Sequence, residues 1–303
     1  MGFGDEGGAP LKEVVVLSGK GGTGKTTLIA GFSALSPEAV LVDCDVDAPN
    51  LHLLVSGSLI QEGGFSASQA ASLDASRCDR CRICAESCRF EAVLLDDAAG
   101  PRIDGIACEG CGLCERLCPS EAITMVDRAS GTWMATRTSG GMMFHAILGA
   151  GEGNSGKLVA MLKRKARAYC VETSASLLLI DGPPGIGCPV IAALSGADLA
   201  VLVAEPTLAG KADLERAMSL CRQMNVVPAV AINRWDLHPA LSEAIEEMAR
   251  QEGAVLLGRV PFDEAVYRLA SSGGSIATTE TAAGTATRRV WERVQELIRN
   301  ESR

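Results

Sequence analysis

Eight cysteines in two short runs are the first residues of this chain whose type and spacing point to chemistry. Cys78, Cys81, Cys84 and Cys88 are separated by two, two and three residues. Cys108, Cys111, Cys114 and Cys118 repeat that spacing thirty positions on, and Glu91-Ala92 returns as Glu121-Ala122 and Asp97 as Asp127. The segment is therefore an internal duplication. Clustered thiols in a chain of 303 residues with no basic-then-apolar leader favour metal ligation over disulfides. Zinc sites usually pair two C-x2-C units or include histidine, a pattern these runs do not follow.

A second chemistry precedes the cysteines. In "EVVVLSGKGGTGKTT" (13–27) a β-branched apolar run leads into a glycine-rich loop, and a helix is expected from about Lys25. Gly19, Gly24, Lys25 and Thr26 fill the phosphate-binding pattern G-x-x-x-x-G-K-S/T. Backbone N–H groups of Gly19, Gly21, Gly22, Thr23 and Gly24 can approach phosphate oxygens there, and the helix N-terminus supplies a positive end. Lys25 is placed to reach the β- and γ-phosphates, Thr26 to ligate Mg²⁺, and Thr27 follows in the first turn. "LLLIDGPPGIG" (177–187) is an apolar strand ending in an acid, and Asp181 is expected to hold Mg²⁺ through water.

The string "KGGTGKT", with Lys20 as its extra lysine, resembles the deviant Walker A motif of the MinD/ParA family of P-loop ATPases. That family includes the nitrogenase iron protein and Mrp-type carriers. The resemblance implies binding of ATP or ADP with Mg²⁺, and ATP hydrolysis, slow and stimulated by a partner. It also implies a dimer in which Lys20 reaches the partner's nucleotide. By the same resemblance Asp45 positions the attacking water and Asp43 lies near Mg²⁺. Asn233, in "VAINRWD", and Pro261 and Phe262, in "RVPFDEAV", lie on the adenine side. Catalysis thus rests on Lys20, Lys25 and Asp45, since positioning and charge stabilisation are most of what phosphoryl transfer requires. The cysteine runs, the second followed by Pro119, resemble a bacterial ferredoxin carrying two 4Fe–4S clusters. That resemblance assigns cluster I to Cys78, Cys81, Cys84 and Cys118, and cluster II to Cys108, Cys111, Cys114 and Cys88, because the fourth cysteine of each run ligates the other cluster. Arg89 stands where the first run would have proline.

The elements that must hold these residues follow from apolar patterning. Near-continuous apolar runs at 14–18, 39–43, 177–181, 200–204, 229–233 and 255–260 read as strands covered on both faces. Helices are expected at about 25–35, 156–171, 209–224, 238–252 and 284–300. The alternation gives an α/β fold with a doubly wound, mostly parallel sheet, and a small α+β ferredoxin-like domain inserted in it. The expected ATPase domain is 11–68 and 128–303, the insertion 69–127, and 1–10 a disordered N-terminus. Apolar content of 47 % allows a sizeable core, built from aliphatic residues since aromatics are 4 %. A net charge of −9 argues against a nucleic-acid binder or a membrane-surface protein. No apolar run of membrane-spanning length occurs. A cytoplasmic location, without nucleic acid or stable membrane insertion, is expected.

Several residues stand apart. Cys188, seven positions after Asp181, corresponds to a cluster-bridging cysteine of the nitrogenase iron protein, but no second cysteine matches between 128 and 169. Met143 and His145 suit soft metal ligation and equally a core beside a strand. His52 reads as a partly buried histidine beside the γ-phosphate-sensing segment, and His238 as a helix start. Lys157 is a candidate nucleotide or partner contact. The basic segment 157–167 reads as a solvated helix face, and the C-terminal helix as docked through Val290, Trp291, Val294, Leu297 and Ile298.

Two functions are compatible with these features. In one, an ATP-gated homodimer, or a heterodimer with a similar ATPase, couples nucleotide state to electron transfer or to metal or cluster delivery to a redox or metalloprotein client. In the other, the chain is a spatial regulator of the MinD/ParA kind, assembling on membrane or DNA with ATP.

Overall fold

A computed structural model describes residues 10–97, 100–149, 152–272 and 274–300. The expectation for 1–10 therefore falls, except for Pro10, outside the described residues. In chain order the first elements are β1 (Lys12–Leu17), α1 (Lys25–Leu35), β2 (Val40–Asp43), α2 (Leu51–Leu54) and β3 (Gly57–Leu73). Then come α3 (Ile83–Glu86), β4 (Val93–Asp96), β5 (Gly100–Ile103), α4 (Leu113–Leu117), β6 (Ile123–Thr138) and β7 (Gly141–Leu148). The C-terminal half holds α5 (Ser155–Thr173), β8 (Leu177–Asp181), α6 (Cys188–Leu194), β9 (Leu199–Ala204), α7 (Leu208–Gln223), β10 (Val227–Asn233), α8 (Pro239–Gln251), β11 (Val255–Val260), α9 (Ala265–Ser272) and α10 (Ala282–Asn300).

The chain divides into two compact units: 1–63, 133–147 and 155–303 form the first, and 64–132 with 148–154 the second. The second takes in residues on both sides of the expected 69–127, and a return segment near 150 that apolar patterning did not assign to it. Strands β3 and β6 each contribute residues to both units.

The first unit is an α/β fold. Its sheet runs β11-β10-β9-β1-β8-β2-β7-β6-β3. From β11 to β7 every pairing is parallel. Strands β1, β8, β9 and β10 are buried almost throughout, because helices cover both faces. On one face Val14, Val16, Phe32, Leu41, Leu179, Val201 and Val290 share a core with Trp291. Phe32 and Trp291 stack with ring centroids 4.8 Å apart. The amphipathic α10 thus docks on the domain as expected; Val290, Trp291, Val294 and Ile298 are buried, and Leu297 packs partly buried against them.

One buried ion cluster anchors α5. Glu13 on β1 meets Lys163, whose Nζ lies 3.3 Å from Glu13 Oε2, and the Arg167 guanidinium. Lys163 is 2 % exposed and also donates to the carbonyls of Ala193 (2.5 Å) and Ser195 (2.8 Å). Two of the basic residues read as a solvated face are therefore internal partners of Glu13. Lys165 lies over the Trp133 ring at 3.6 Å.

The second unit shows the duplication in its backbone. Arg80, Arg82 and Glu91 have positive φ (59°, 66°, 53°), as do Gly110, Gly112 and Glu121 (66°, 71°, 49°). Each half closes on the other: Asp74 N–H donates to the Ala122 carbonyl at 2.8 Å, and Asp104 N–H to Ala92 at 2.7 Å. Strands β4 and β5 pair antiparallel. Ala71, Cys84, Val93 and Ile123 form its small core.

Candidate functional site

The phosphate loop sits where β1 ends. Register sets Val16 beside Asp181 on β8, and Asp181 beside Asp43 on β2. Parallel neighbours in this register bring the acids that end two strands next to the glycine loop that follows a third. Gly24, just before α1, adopts φ 91°, ψ 13°. A side chain there would be strained and would meet Asn233 Nδ2 at 2.4 Å. Behind the loop, Gly182 N–H donates to the Val16 carbonyl at 2.9 Å, and a Cβ on Gly182 would lie 2.3 Å from Leu17 Cδ2.

Lys25 is 6 % exposed at the start of α1. Asp181 is 1 % exposed, and neither of its carboxylate oxygens has a hydrogen-bond partner. Burial, then the neighbouring Asp43 carboxylate, raise its pKa, opposed by Lys25 and the Thr26 hydroxyl. A buried anion without donors is costly unless a cation or proton answers it. A carboxylate beside a lysine and a threonine hydroxyl fits Mg²⁺. Asp43 is used differently: its carboxylate accepts N–H bonds from Asp45 (3.1 Å), Asn50 (3.2 Å) and Leu51 (3.1 Å), shaping the 44–51 loop. Its pKa is raised too, mainly by burial. Asp45, on that loop, is also raised by burial, with Lys25 opposing.

A cleft of about 430 Å³ opens beside the loop, lined by Gly24, Thr27, Asn233, Pro261 and Phe262 among others. The structure thus brings together residues 24 and 27 with residues more than 200 positions away. Asn233 Nδ2 donates to the Thr23 carbonyl at 2.8 Å. Lys20 lies 3.4 Å from Glu205, whose other oxygen pairs with Arg234 at 2.5 Å. Glu205 and Arg234 were not singled out from the sequence. The signal available for Glu205 was its position just after the apolar run of β9, at the carboxyl end of a parallel strand.

Residues weighed for metal lie elsewhere. Met143 and His145 stand inside β7, 0 % and 6 % exposed, as core residues. His145 Nε2 bonds Thr136 Oγ1 at 2.9 Å, its ring stacks on exposed His52 at 5.7 Å, and burial, then His52, lower its pKa to about 4. His238 caps α8, its Nδ1 accepting from Leu241 N–H at 3.2 Å. Cys188 is exposed at the start of α6, and Lys157 lies in the first turn of α5. In the second unit Cys84, Cys88, Cys108, Cys111 and Cys114 line a cavity of about 450 Å³. Backbone N–H groups of Arg80, Ala71 and Ala122 donate to Cys78, Cys108 and Cys118 at 3.4, 3.5 and 3.2 Å. Among the described residues no group of three or more His, Cys, Asp or Glu side chains is placed to hold a metal ion.

Residues 14–276 match the family described as the CobQ/CobB/MinD/ParA nucleotide binding domain. The uncharacterized protein MJ0578 of Methanocaldococcus jannaschii is 29 % identical over 293 residues, 95 % of this chain and 98 % of that protein. Among solved structures, the MinD cell division protein of Aquifex aeolicus superposes with TM-score 0.54 at 17 % identity, covering 94 % of this chain and 97 % of its own. MinD from Pyrococcus horikoshii, complexed with Mg-ADP, gives 0.55 at 15 %, covering 95 % and 97 %. A Cyanothece McdA–ATP complex gives 0.57 at 15 %, covering 96 % and 97 %.

These findings correct one expectation. The reading of an iron–sulfur, ferredoxin-type protein that couples ATP to electron transfer or to metal or cluster delivery to a redox client is overturned. Solved structures that match include MinD cell-division proteins, a ParA family ATPase and a putative plasmid partition protein. Five of the eight cysteines line a cavity, and among the described residues no three are placed to hold a metal ion. The ATP, Mg²⁺ and P-loop expectations fit the matches. Among the described residues no helix is long and apolar enough to cross a membrane.

Proposed function

The chain belongs to the CobQ/CobB/MinD/ParA nucleotide-binding family, and from that premise we propose that it is an ATP-dependent spatial regulator of the MinD and ParA kind. ATP binding assembles it as a dimer on a membrane or DNA, and hydrolysis releases it. The observation that carries the reading is the buried carboxylate of Asp181 beside Lys25 and the Thr26 hydroxyl, at the mouth of a glycine loop.

The roles follow from chemistry. N–H groups of Gly19, Gly21, Gly22, Thr23 and Gly24 cradle phosphate oxygens, and Lys25 neutralises charge on the β- and γ-phosphates. Thr26 and Asp181 would hold Mg²⁺, with Asp43 next to Asp181; when bound, the ion offsets negative charge on the phosphates. Asp45 orients the water that attacks the γ-phosphorus as the bond to the ADP oxygen breaks. Asn233, Pro261 and Phe262 receive the base. Lys20 leaves Glu205 to meet the partner's nucleotide, so Glu205 holds that lysine within its own chain before assembly. The partner is a second copy or a similar ATPase. One matching structure is a MinC:MinD cell division protein complex from Aquifex aeolicus, in which such a protein has another bound to it.

For the cysteines we propose only a residue assignment. Cys78, Cys81, Cys84 and Cys118 form one thiolate set, and Cys108, Cys111, Cys114 and Cys88 a second. The cavity, lined by all four cysteines of the second set and by Cys84 of the first, supports the second set, and N–H donors to Cys78, Cys108 and Cys118 support both, since such donors favour thiolate over thiol. Cys118, beside Ser120, has a lowered pKa, whereas burial raises those of Cys84 and Cys114. Cysteines that all titrate at or above the ordinary thiol value, read by thiolate ultraviolet absorbance, sink this assignment.

The test of function uses the full chain. Light scattering is expected to show a dimer with ATP and a monomer with ADP, and Lys25→Ala a monomer with either. Co-sedimentation with anionic vesicles and with duplex DNA is expected to rise with ATP on one of the two surfaces. Bound ATP that changes neither assembly nor sedimentation refutes the proposal.

A further inference from the structure

Two strand ends and the loops that follow them flank the base end of the nucleotide cleft: Asn233 and Arg234 from the end of β10, and residues 260–263 from the end of β11. The loops leave adjacent parallel strands, so their separation at the strand ends is set by the sheet. Beyond that point side chains must set it. Arg234 adopts φ 54°, ψ 37°, which turns the chain into the short 3₁₀ segment Trp235–Leu237. That turn carries Asp236 toward the second loop, where its Oδ1 accepts the N–H of Phe262 at 2.7 Å. The bases of both loops are fixed nearby. Arg259 donates to Glu246 on α8 at 2.6 and 2.9 Å and lies 5.2 Å from the Trp235 ring centroid. The Trp235 carbonyl accepts from Ser242 Oγ at 2.8 Å. Asp263 Oδ1 accepts from Ala265 N–H at 2.9 Å, starting α9.

We infer that Asp236 is a positioning residue for the nucleobase: it ties the Asn233 wall of the cleft to the Pro261–Phe262 wall and sets the slot between them. It is not one of the lining residues and acts through the Phe262 backbone. The bond is short and its acceptor charged, which strengthens it; Asp236 is solvent-exposed, which keeps its contribution modest. The inference rests on the nucleotide reading of the cleft. It predicts an effect confined to the base end, because the phosphates sit on the 19–26 loop.

The experiment compares wild type, Asp236→Ala and Asp236→Asn in calorimetric binding of ATP and of inorganic tripolyphosphate, with steady-state hydrolysis alongside. Asp236→Ala is expected to weaken ATP binding about fivefold, the loss of one hydrogen bond. KM should rise by the same factor at unchanged kcat, the mark of lost uniform binding. Tripolyphosphate affinity should stay at the wild-type value. Asp236→Asn keeps an acceptor and is expected to lie within about twofold of wild type on ATP. An Asp236→Ala protein that binds ATP as wild type does overturns the inference, and so does parallel weakening of ATP and tripolyphosphate. Wild type that binds neither compound overturns the nucleotide reading itself.

Discussion

Replacing Asp181 by asparagine should stabilise the protein without ligand and remove its response to Mg²⁺ and ATP together. Asp181 is 1 % exposed, both its oxygens lack hydrogen-bond partners, and Asp43 stands beside it on β2. Burial and that second carboxylate raise its pKa. A group whose folded pKa lies above its unfolded value binds more protons in the folded state. Stability therefore falls as pH rises from the ordinary carboxylate value of 3.8 through the raised folded value. With the folded value raised to about 8, Asp181 is largely protonated at neutral pH, so the folded state carries the cost of taking up that proton, and an isosteric neutral amide removes it. An unsatisfied buried polar group costs about 1–3 kcal/mol, more if charged, and the amide still needs partners, so about 2 kcal/mol is the expected gain. For a unit of this size that is a rise of about 4–8 °C in Tm. The assay is thermal denaturation by circular dichroism at several pH values, with and without Mg²⁺ and ATP. The variant should melt higher than wild type without ligand, show a flatter pH dependence above about pH 4, and lose the wild-type upward shift with Mg²⁺ and ATP. An Asp181→Asn protein that melts lower than wild type without ligand, or keeps the full Mg²⁺-dependent shift, refutes the argument that this buried carboxyl group is unfavourable in the empty site and is answered by a cation.

Two other substitutions test the same framework. Gly24→Ala combines left-handed backbone strain at φ 91° with displacement of Asn233 from the Thr23 carbonyl. The two effects, about 1 kcal/mol each, predict roughly thirtyfold weaker ATP binding by calorimetry, and an unchanged affinity would show that loop and Asn233 adjust freely. Glu13→Gln leaves the Lys163 ammonium, 2 % exposed, with neutral acceptors and no counter-charge: the Ala193 and Ser195 carbonyls and the amide oxygen at position 13. Breaking a buried pair from one side costs about 3 kcal/mol at the lower end, a fall of roughly 6–12 °C in Tm; a shift below about 2 °C would mean that the pair is not energetically isolated from water.

The two units differ in how much of them was legible. The strands that end in Leu17, Asp43, Asp181 and Asn233 were readable as apolar runs, because a parallel strand covered on both faces has no solvent side to interrupt it. The helix at Lys25–Leu35 was readable from the glycine loop that precedes it, and α10 from its apolar stripe, since a surface helix buries one face. Strands β3 and β6 were not. Residues 57–62 of β3 are exposed, and β6 mixes buried and exposed positions without strict alternation, so neither carries the pattern that identifies a strand. Asp236 was invisible as well: an exposed aspartate gains meaning only from the Phe262 N–H that another loop presents to it.

By itself the sequence determined the phosphate loop, its lysines, the acid at the end of β8 and the duplication of the cysteine runs. Each is a local pattern, set by which residues lie within a few positions of one another. Only the tertiary structure decided that Lys20 rests on Glu205, that Asp43 is occupied by three backbone N–H groups while Asp181 has none, and that Asn233 clamps the phosphate loop. Those contacts join residues up to 210 positions apart. Their partners are fixed by the order and register of parallel strands, which bring distant strand ends to one edge of the sheet.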